Sequence, residues 1–147
     1  MRRNNIKYYF PILIFILVVN LALMPFDEMV LQEKTKVTEI FRKIETGIEK
    51  GDISSLSDYF SDKTFLSLRN SANGYYSINQ MHYVLKDYFA INNPVSFRFN
   101  SVISNSESPY ATGLFVYNKR GKRDSAVIYL SLKKDQETWK ISQLSIN

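Results

Sequence analysis

In the stretch KTKVTEIFRKIETGIEK (residues 34–50), apolar side chains recur at Val37, Ile40, Phe41, Ile44 and Ile48. Spacings of three and four put all five on one helix face, with Lys and Glu on the other. Gly51 is the natural stop, because glycine takes up the left-handed backbone that ends many helices. DISSLSDYF then reads as a short helical turn directing Leu56, Tyr59 and Phe60 inward. KTFLSLRN alternates in the manner of a strand, and SANG is a turn. Ser77 opens a second long helix, with Gln80 three residues on completing a capping box. Ile78, Met81, Val84, Leu85, Tyr88 and Phe89 form its apolar stripe, and Asn92, Asn93 and Pro94 end it.

Beyond Pro94 the period changes to two. Val95, Phe97 and Phe99 share a strand face. YATGLFVYN and RDSAVIYLSLKK are strands joined by the glycine-containing hairpin NKRGKR, and TWKISQLSIN is the last strand. There Trp139 and Ile141 are out of phase with Leu144 and Ile146, which a one-residue bulge near Ser142-Gln143 reconciles. Gly113 interrupts its strand where a bend or a close approach is expected. The order is helix, short helix, strand, helix and four strands. It predicts one α+β domain over residues 36–147, with helices on a strongly curved antiparallel sheet.

The first 26 residues differ in kind. Arg2, Arg3 and Lys7 precede an uncharged stretch from Tyr8 to Phe26, which ends at Asp27-Glu28. A basic flank before an apolar segment is the pattern of export. The segment is long for a cleaved signal and close to the roughly 20 residues that span a bilayer. No small-x-small cleavage site follows it, while Asn20 and Pro25 disfavour a span. Signal peptide and membrane anchor through residues 8–26 both stay open. A core helix apolar all round would be odd in so small a domain. Either way the domain is expected outside the cytoplasm, periplasmic or held at the inner membrane, with residues 27–35 as a spacer.

Composition removes several chemistries. The 147 residues contain no cysteine and one histidine, so disulfides, thiolate sites and a histidine-based zinc site within one chain drop out. The formal charge is +5, but from residue 27 onward 16 basic residues face 14 acidic ones. That balance gives no basic face for nucleic acid. No phosphate loop, nucleophile elbow or metal-ligand spacing occurs, and no cofactor is expected.

The chain resembles a family of small exported Bacteroidota proteins, domain of unknown function 4783, within the nuclear-transport-factor-2-like superfamily. GD at 51–52 with Leu56 and Phe60, YS at 76–77 with Gln80, and VLKDYF running into NNPVSF carry the likeness. So do YATG at 110–113 and WKISQLSI at 139–146. It covers about residues 37–146, and SVISNSES departs from the pattern. The resemblance implies a cone-like α+β fold and export. It transfers no catalytic residue, because the family has no assigned activity.

Candidate chemistry is sparse. His82 lies at the border of the second helix's stripe, beside Ile78 and Phe89, with Asp87 across the helix. It is the one weak catalytic candidate, since a general base needs substrate reach and an orienting partner. A border histidine that packs its ring and hydrogen-bonds locally is the plainer account. Asp58 and Asp62, four apart, could share a face of the short helix, although Asp62 reads better as its cap or terminus. Among the tyrosines, Tyr83, Tyr117 and Tyr129 are candidates for a ligand or partner surface, because a rigid ring with a polar tip suits binding. Tyr83 lies opposite the stripe, while Tyr117 and Tyr129 are expected to pair across strands on an open sheet face. The hairpin NKRGKR offers four cations to lipid phosphates or an acidic partner, or is simply solvated.

The expectation is an exported, non-catalytic binding or scaffold domain of the cell envelope. It would hold a small apolar molecule in the cone or an envelope protein on its sheet, and a homodimer is compatible with it. The alternative is a small enzyme with acid-base chemistry around His82.

Overall fold

The computed structural model describes residues 26–69 and 71–147. The expected signal or anchor lies outside the described residues, apart from Phe26. The chain divides into two compact units, Met1–Glu33 and Lys34–Asn147. Of the first, the described residues are all helical. Among the described residues no helix is long and apolar enough to cross a membrane.

Helix α1 (Phe26–Lys50) begins earlier than the apolar pattern suggested, so residues 27–35 are helix rather than spacer. Val37, Phe41, Ile44 and Ile48 are buried, as their spacing requires. The helix ends where Gly51 takes φ +64°. There the Gly51 N–H donates to Ile48 O at 3.0 Å and the Asp52 N–H to Gly47 O at 2.9 Å, a paired closure of the last carbonyls.

Asp52 caps the short α2 (Ile53–Leu56), accepting from Ser55 N at 3.2 Å. A 3₁₀ turn, Ser57–Tyr59, leads into β1 (Phe60–Leu68). Asp58 is therefore in the 3₁₀ turn and Asp62 in a strand. They share no helix face, and Asp62 caps nothing. The SANG turn is shorter than expected: Asn73 and Gly74 already belong to β2 (Asn73–Tyr76).

Helix α3 (Ile78–Ile91) carries the full capping box. Ser77 N donates to Gln80 Oε1 at 2.9 Å, and Gln80 N to Ser77 Oγ at 3.4 Å. Met81, Leu85 and Phe89 are buried, while Ile78, Val84 and Tyr88 pack partly against the core. The remaining strands are β3 (Asn93–Ile103), β4 (Tyr110–Lys119), β5 (Lys122–Asp135) and β6 (Thr138–Ile146).

The six strands form one sheet in the order β2-β1-β6-β5-β4-β3. It is mixed, not antiparallel, because β1 and β6 run parallel. Hairpin succession fixes the directions of β3 to β6 relative to one another. The β1–β6 pairing joins strands far apart in sequence, and local patterning does not determine its sense.

The expected bulge is present. Leu132 pairs with Ile141 and Ser131 with Gln143, so Ser142 is the extra residue. Its hydroxyl meets Ser131 Oγ at 2.9 Å, and Trp139, Ile141, Leu144 and Ile146 all become buried. Gly113 is a close-approach glycine. A Cβ there would collide with the Arg98 carbonyl oxygen and lie 2.8 Å from the Phe97 ring. The helix-covered face of the sheet is filled by the buried rings of Phe41, Phe89, Phe97 and Phe115. Phe99 stands edge-on to Phe41 at 5.6 Å and to Phe97 at 4.8 Å.

Candidate functional site

Among the described residues these rings are packed together at the centre of the helix-covered face. A cleft of about 650 Å³ opens instead at the C-terminal end of α3. Val84, Asp87, Tyr88, Ile91 and Asn92 come from that helix and its cap, Arg69, Ser71 and Ala72 from the β1–β2 turn, and Tyr76 from β2. Tyr117, Lys119 and Asp124 come from the root of the β4–β5 hairpin. The volume lies within the range of small-molecule sites.

The α3 stripe turns polar at its end, which puts a phenol where earlier turns supply Met81 and Leu85. Asn92 secures that end, with its backbone N–H and Nδ2 both donating to Tyr88 O at 2.9 Å. On β4, the inward phase of Ala111, Gly113 and Phe115 continues to Tyr117, whose ring stacks on Phe115 at 5.2 Å. Asp124 is the register partner of Tyr117 and so shares its face. Between them, Arg120 at φ 51° and Gly121 at φ 78° form the two-residue turn, the left-handed pair that a tight hairpin needs.

Burial pushes the Tyr88 phenol up to about 12, and Tyr117 and Asp124 add in the same direction. Tyr117 is raised as well, by burial first and then by the Asp124 carboxylate beside it, with the Arg69 guanidinium opposing. A desolvated phenolate near a carboxylate is disfavoured. Both hydroxyls therefore remain protonated donors over the ordinary pH range. Arg69 and Lys119 supply positive charge at the rim, Asp87 and Asp124 negative charge. The cleft mixes these polar groups with the apolar side chains of Ala72, Val84 and the exposed Ile91, and is suited to hydrogen-bonding a small ligand.

The four sequence candidates do not converge on one site: only His82 and Tyr83, neighbours on α3, touch. His82 is half-buried, its ring edge-on to Tyr83 at 5.6 Å. It makes no hydrogen bond among the described residues and lies outside the lining of the cleft. Tyr83 is 67% exposed. Tyr129 is on the outer face of the sheet, its ring stacked on Tyr110 at 5.9 Å. Tyr117, by contrast, is buried on the helix-covered face. The expected Tyr117–Tyr129 pairing is thus corrected, because they point to opposite sides. Their ladder partners are Asp124 and Thr112. Tyr117 is the one candidate in the cleft, and Lys119 brings part of the basic hairpin to it. Sequence reasoning missed Tyr88, Arg69 and Asp124 as site residues. The in-phase run Gly113, Phe115, Tyr117 did hold the signal that Tyr117 points inward.

The outer face of β4 and β5 is different in character. Leu114 and Val127 are register partners, 49% and 53% exposed. Their neighbours Thr112, Val116, Ser125 and Tyr129 carry no charge, while Arg98 on β3 is the other register partner of Leu114 and ion-pairs with Glu45 and Glu49.

An α+β unit with two long helices and a six-stranded sheet in this order defines the class: a nuclear-transport-factor-2-like fold. The profile described as Domain of unknown function (DUF4783) matches residues 41–147, and the chain belongs to that family. Its fold is similar to that of a DUF4783 family protein from Bacteroides uniformis, at 18% identity and TM-score 0.66, covering 72% of this chain and 94% of that one. A second, from Bacteroides ovatus, is 22% identical with TM-score 0.63, covering 71% and 90%. A ketosteroid isomerase-like protein from Erwinia carotovora atroseptica is 12% identical with TM-score 0.63, covering 78% and 94%. At these identities the likeness is one of fold. No curated protein matches the chain.

Proposed function

We propose that the chain is an exported, non-catalytic binding domain of the bacterial cell envelope that holds a small ligand in the cleft at the end of α3. The observation that carries this reading is the pair Tyr88 and Tyr117, two phenols kept protonated beside Asp124 in a cleft that Ala72, Val84 and Ile91 also line. Tyr117 gives its one proton to the Asp124 carboxylate, which leaves Tyr88 as the phenol that donates to a ligand oxygen, and neither is a good base. The charged rim favours a ligand with a polar edge over the wholly apolar one expected for the cone. Export rests on Arg2, Arg3 and Lys7 ahead of the uncharged stretch from Tyr8 to Phe26.

The test is a thermal-shift screen of small metabolites on the full chain, followed by calorimetry with Tyr88→Phe. A stabilising compound should bind roughly tenfold more weakly to this variant, about the worth of one hydrogen bond in a protected site. A compound that is chemically converted, with turnover lost in Asp124→Asn, would replace binding by catalysis.

A second reading has its own observation: the exposed apolar pair Leu114 and Val127 on the outer face. Exposed aliphatic side chains beside Tyr110 and Tyr129 suit a protein partner, which includes another copy of this chain. Leu114→Lys with Val127→Lys should leave folding intact and abolish any association seen by light scattering.

A further inference from the structure

We infer that the surface around Tyr75, at the β2 edge of the sheet, binds an acidic oligosaccharide. This place is separate from the proposed cleft, sharing only Tyr76 with it. Two adjoining hollows of about 630 and 500 Å³ are both lined by Lys63, Tyr75 and Lys133. Gln80 completes the first, Ser142 and Gln143 the second.

Tyr75 is 72% exposed, yet its ring is held. It pairs with Phe65 across the β1–β2 ladder and stands edge-on to that ring at 5.3 Å. A large exposed aromatic that is already ordered loses little conformational entropy on binding. Its flat face suits the C–H face of a sugar ring, and the two hollows that share it accommodate successive sugar units.

The lysines set the charge of the ligand. Neither Lys63 nor Lys133 has an ion-pair or hydrogen-bond partner for its side chain among the described residues. Both border both hollows, so one anion in either hollow can approach the two ammonium groups. Asp62 lies in the first hollow alone and does not balance them. Two lysines with one aspartate are too few for a nucleic-acid track. The Gln80 amide N–H groups and the Gln143 amide oxygen, which the bonds to Ser77 and Ser145 do not use, match sugar hydroxyls.

The experiment is calorimetric titration of the full chain with trigalacturonate, with neutral galactotriose and with tripolyphosphate. Trigalacturonate should bind, more weakly as salt is raised, and galactotriose at least about tenfold less well. The double variant Lys63→Gln/Lys133→Gln should lose about tenfold in affinity for trigalacturonate, and Tyr75→Ala a similar factor, while Tyr75→Phe retains it. Unchanged melting temperatures would show that the folds persist. Equal binding of galactotriose, or no binding of trigalacturonate, overturns the inference. So does tripolyphosphate binding at the strength of trigalacturonate with no effect of Tyr75→Ala, since that is attraction to charge alone. Tyr88→Phe should leave this titration untouched, which separates its outcome from that of the cleft.

Discussion

Tyr117 and Asp124 face each other across the β4–β5 ladder, on the side of the sheet that the helices cover. A phenol and a carboxylate so placed cannot both carry charge cheaply, and the Tyr88 phenol feels Tyr117 and Asp124 as well.

A pH dependence follows. The Tyr88 phenol titrates near 10 in the unfolded chain and about 12 in the folded one. Its raised value contributes stability that is fully present below about pH 10 and lost as pH climbs towards 12. Partial exposure screens the effect, which leaves about 1 kcal/mol. Urea midpoints measured at pH 9 and pH 11.5 should fall more in the native chain than in Tyr88→Phe. An identical fall in both would remove the special environment of Tyr88.

His82 lies apart from this pair. His82→Gln should change stability by less than about 0.5 kcal/mol, as a half-buried side chain without a hydrogen-bond partner does. It should also leave ligand binding in the cleft unchanged. Loss of function in a folded His82→Gln chain would revive the acid-base alternative.

Gly113 predicts a local failure. Gly113→Ala places a methyl group against the Arg98 carbonyl and the Phe97 ring. Backbone cannot swing aside as a side chain can, so the cost should be about 1–3 kcal/mol by chemical denaturation. A neutral substitution would show that β3 shifts freely at its irregular step between Phe99 and Ser101.

Much of this was legible because local rules act alone at those places. The capping box at Ser77 and Gln80, the stop at Gly51 and the bulge at Ser142 each follow from a few neighbouring residues. The parallel β1–β6 pair was not legible, since its direction depends on the path of the whole chain. The cleft was hidden for a related reason. Arg69, Tyr88, Tyr117 and Asp124 come from four elements, and only the assembled fold brings them together. Tyr117 was assigned to the outer face although Phe115, two residues earlier, is in phase with it. Tyrosine is common on both faces of a sheet, and its type alone does not choose one.

The edge of β3 offers the sharpest comparison of two kinds of polar contact. Glu45 on α1 accepts the Phe99 backbone N–H at 2.7 Å, a donor that no neighbouring strand pairs because β3 ends the sheet. Glu45 and Glu49 also hold Arg98 at 3.6 and 2.8 Å. Arg98 is 66% exposed, so its ion pairs are screened and Arg98→Ala should cost little, and less still as salt is raised. Glu45→Ala leaves a part-buried backbone donor without its acceptor and should cost about 1–3 kcal/mol. Glu45→Gln keeps an acceptor oxygen and should recover much of that loss. Denaturant midpoints of the three variants at low and high salt decide the matter. If Arg98→Ala proves the more damaging at both salts, the ion pairs, and not the capped strand edge, attach α1 to the sheet there.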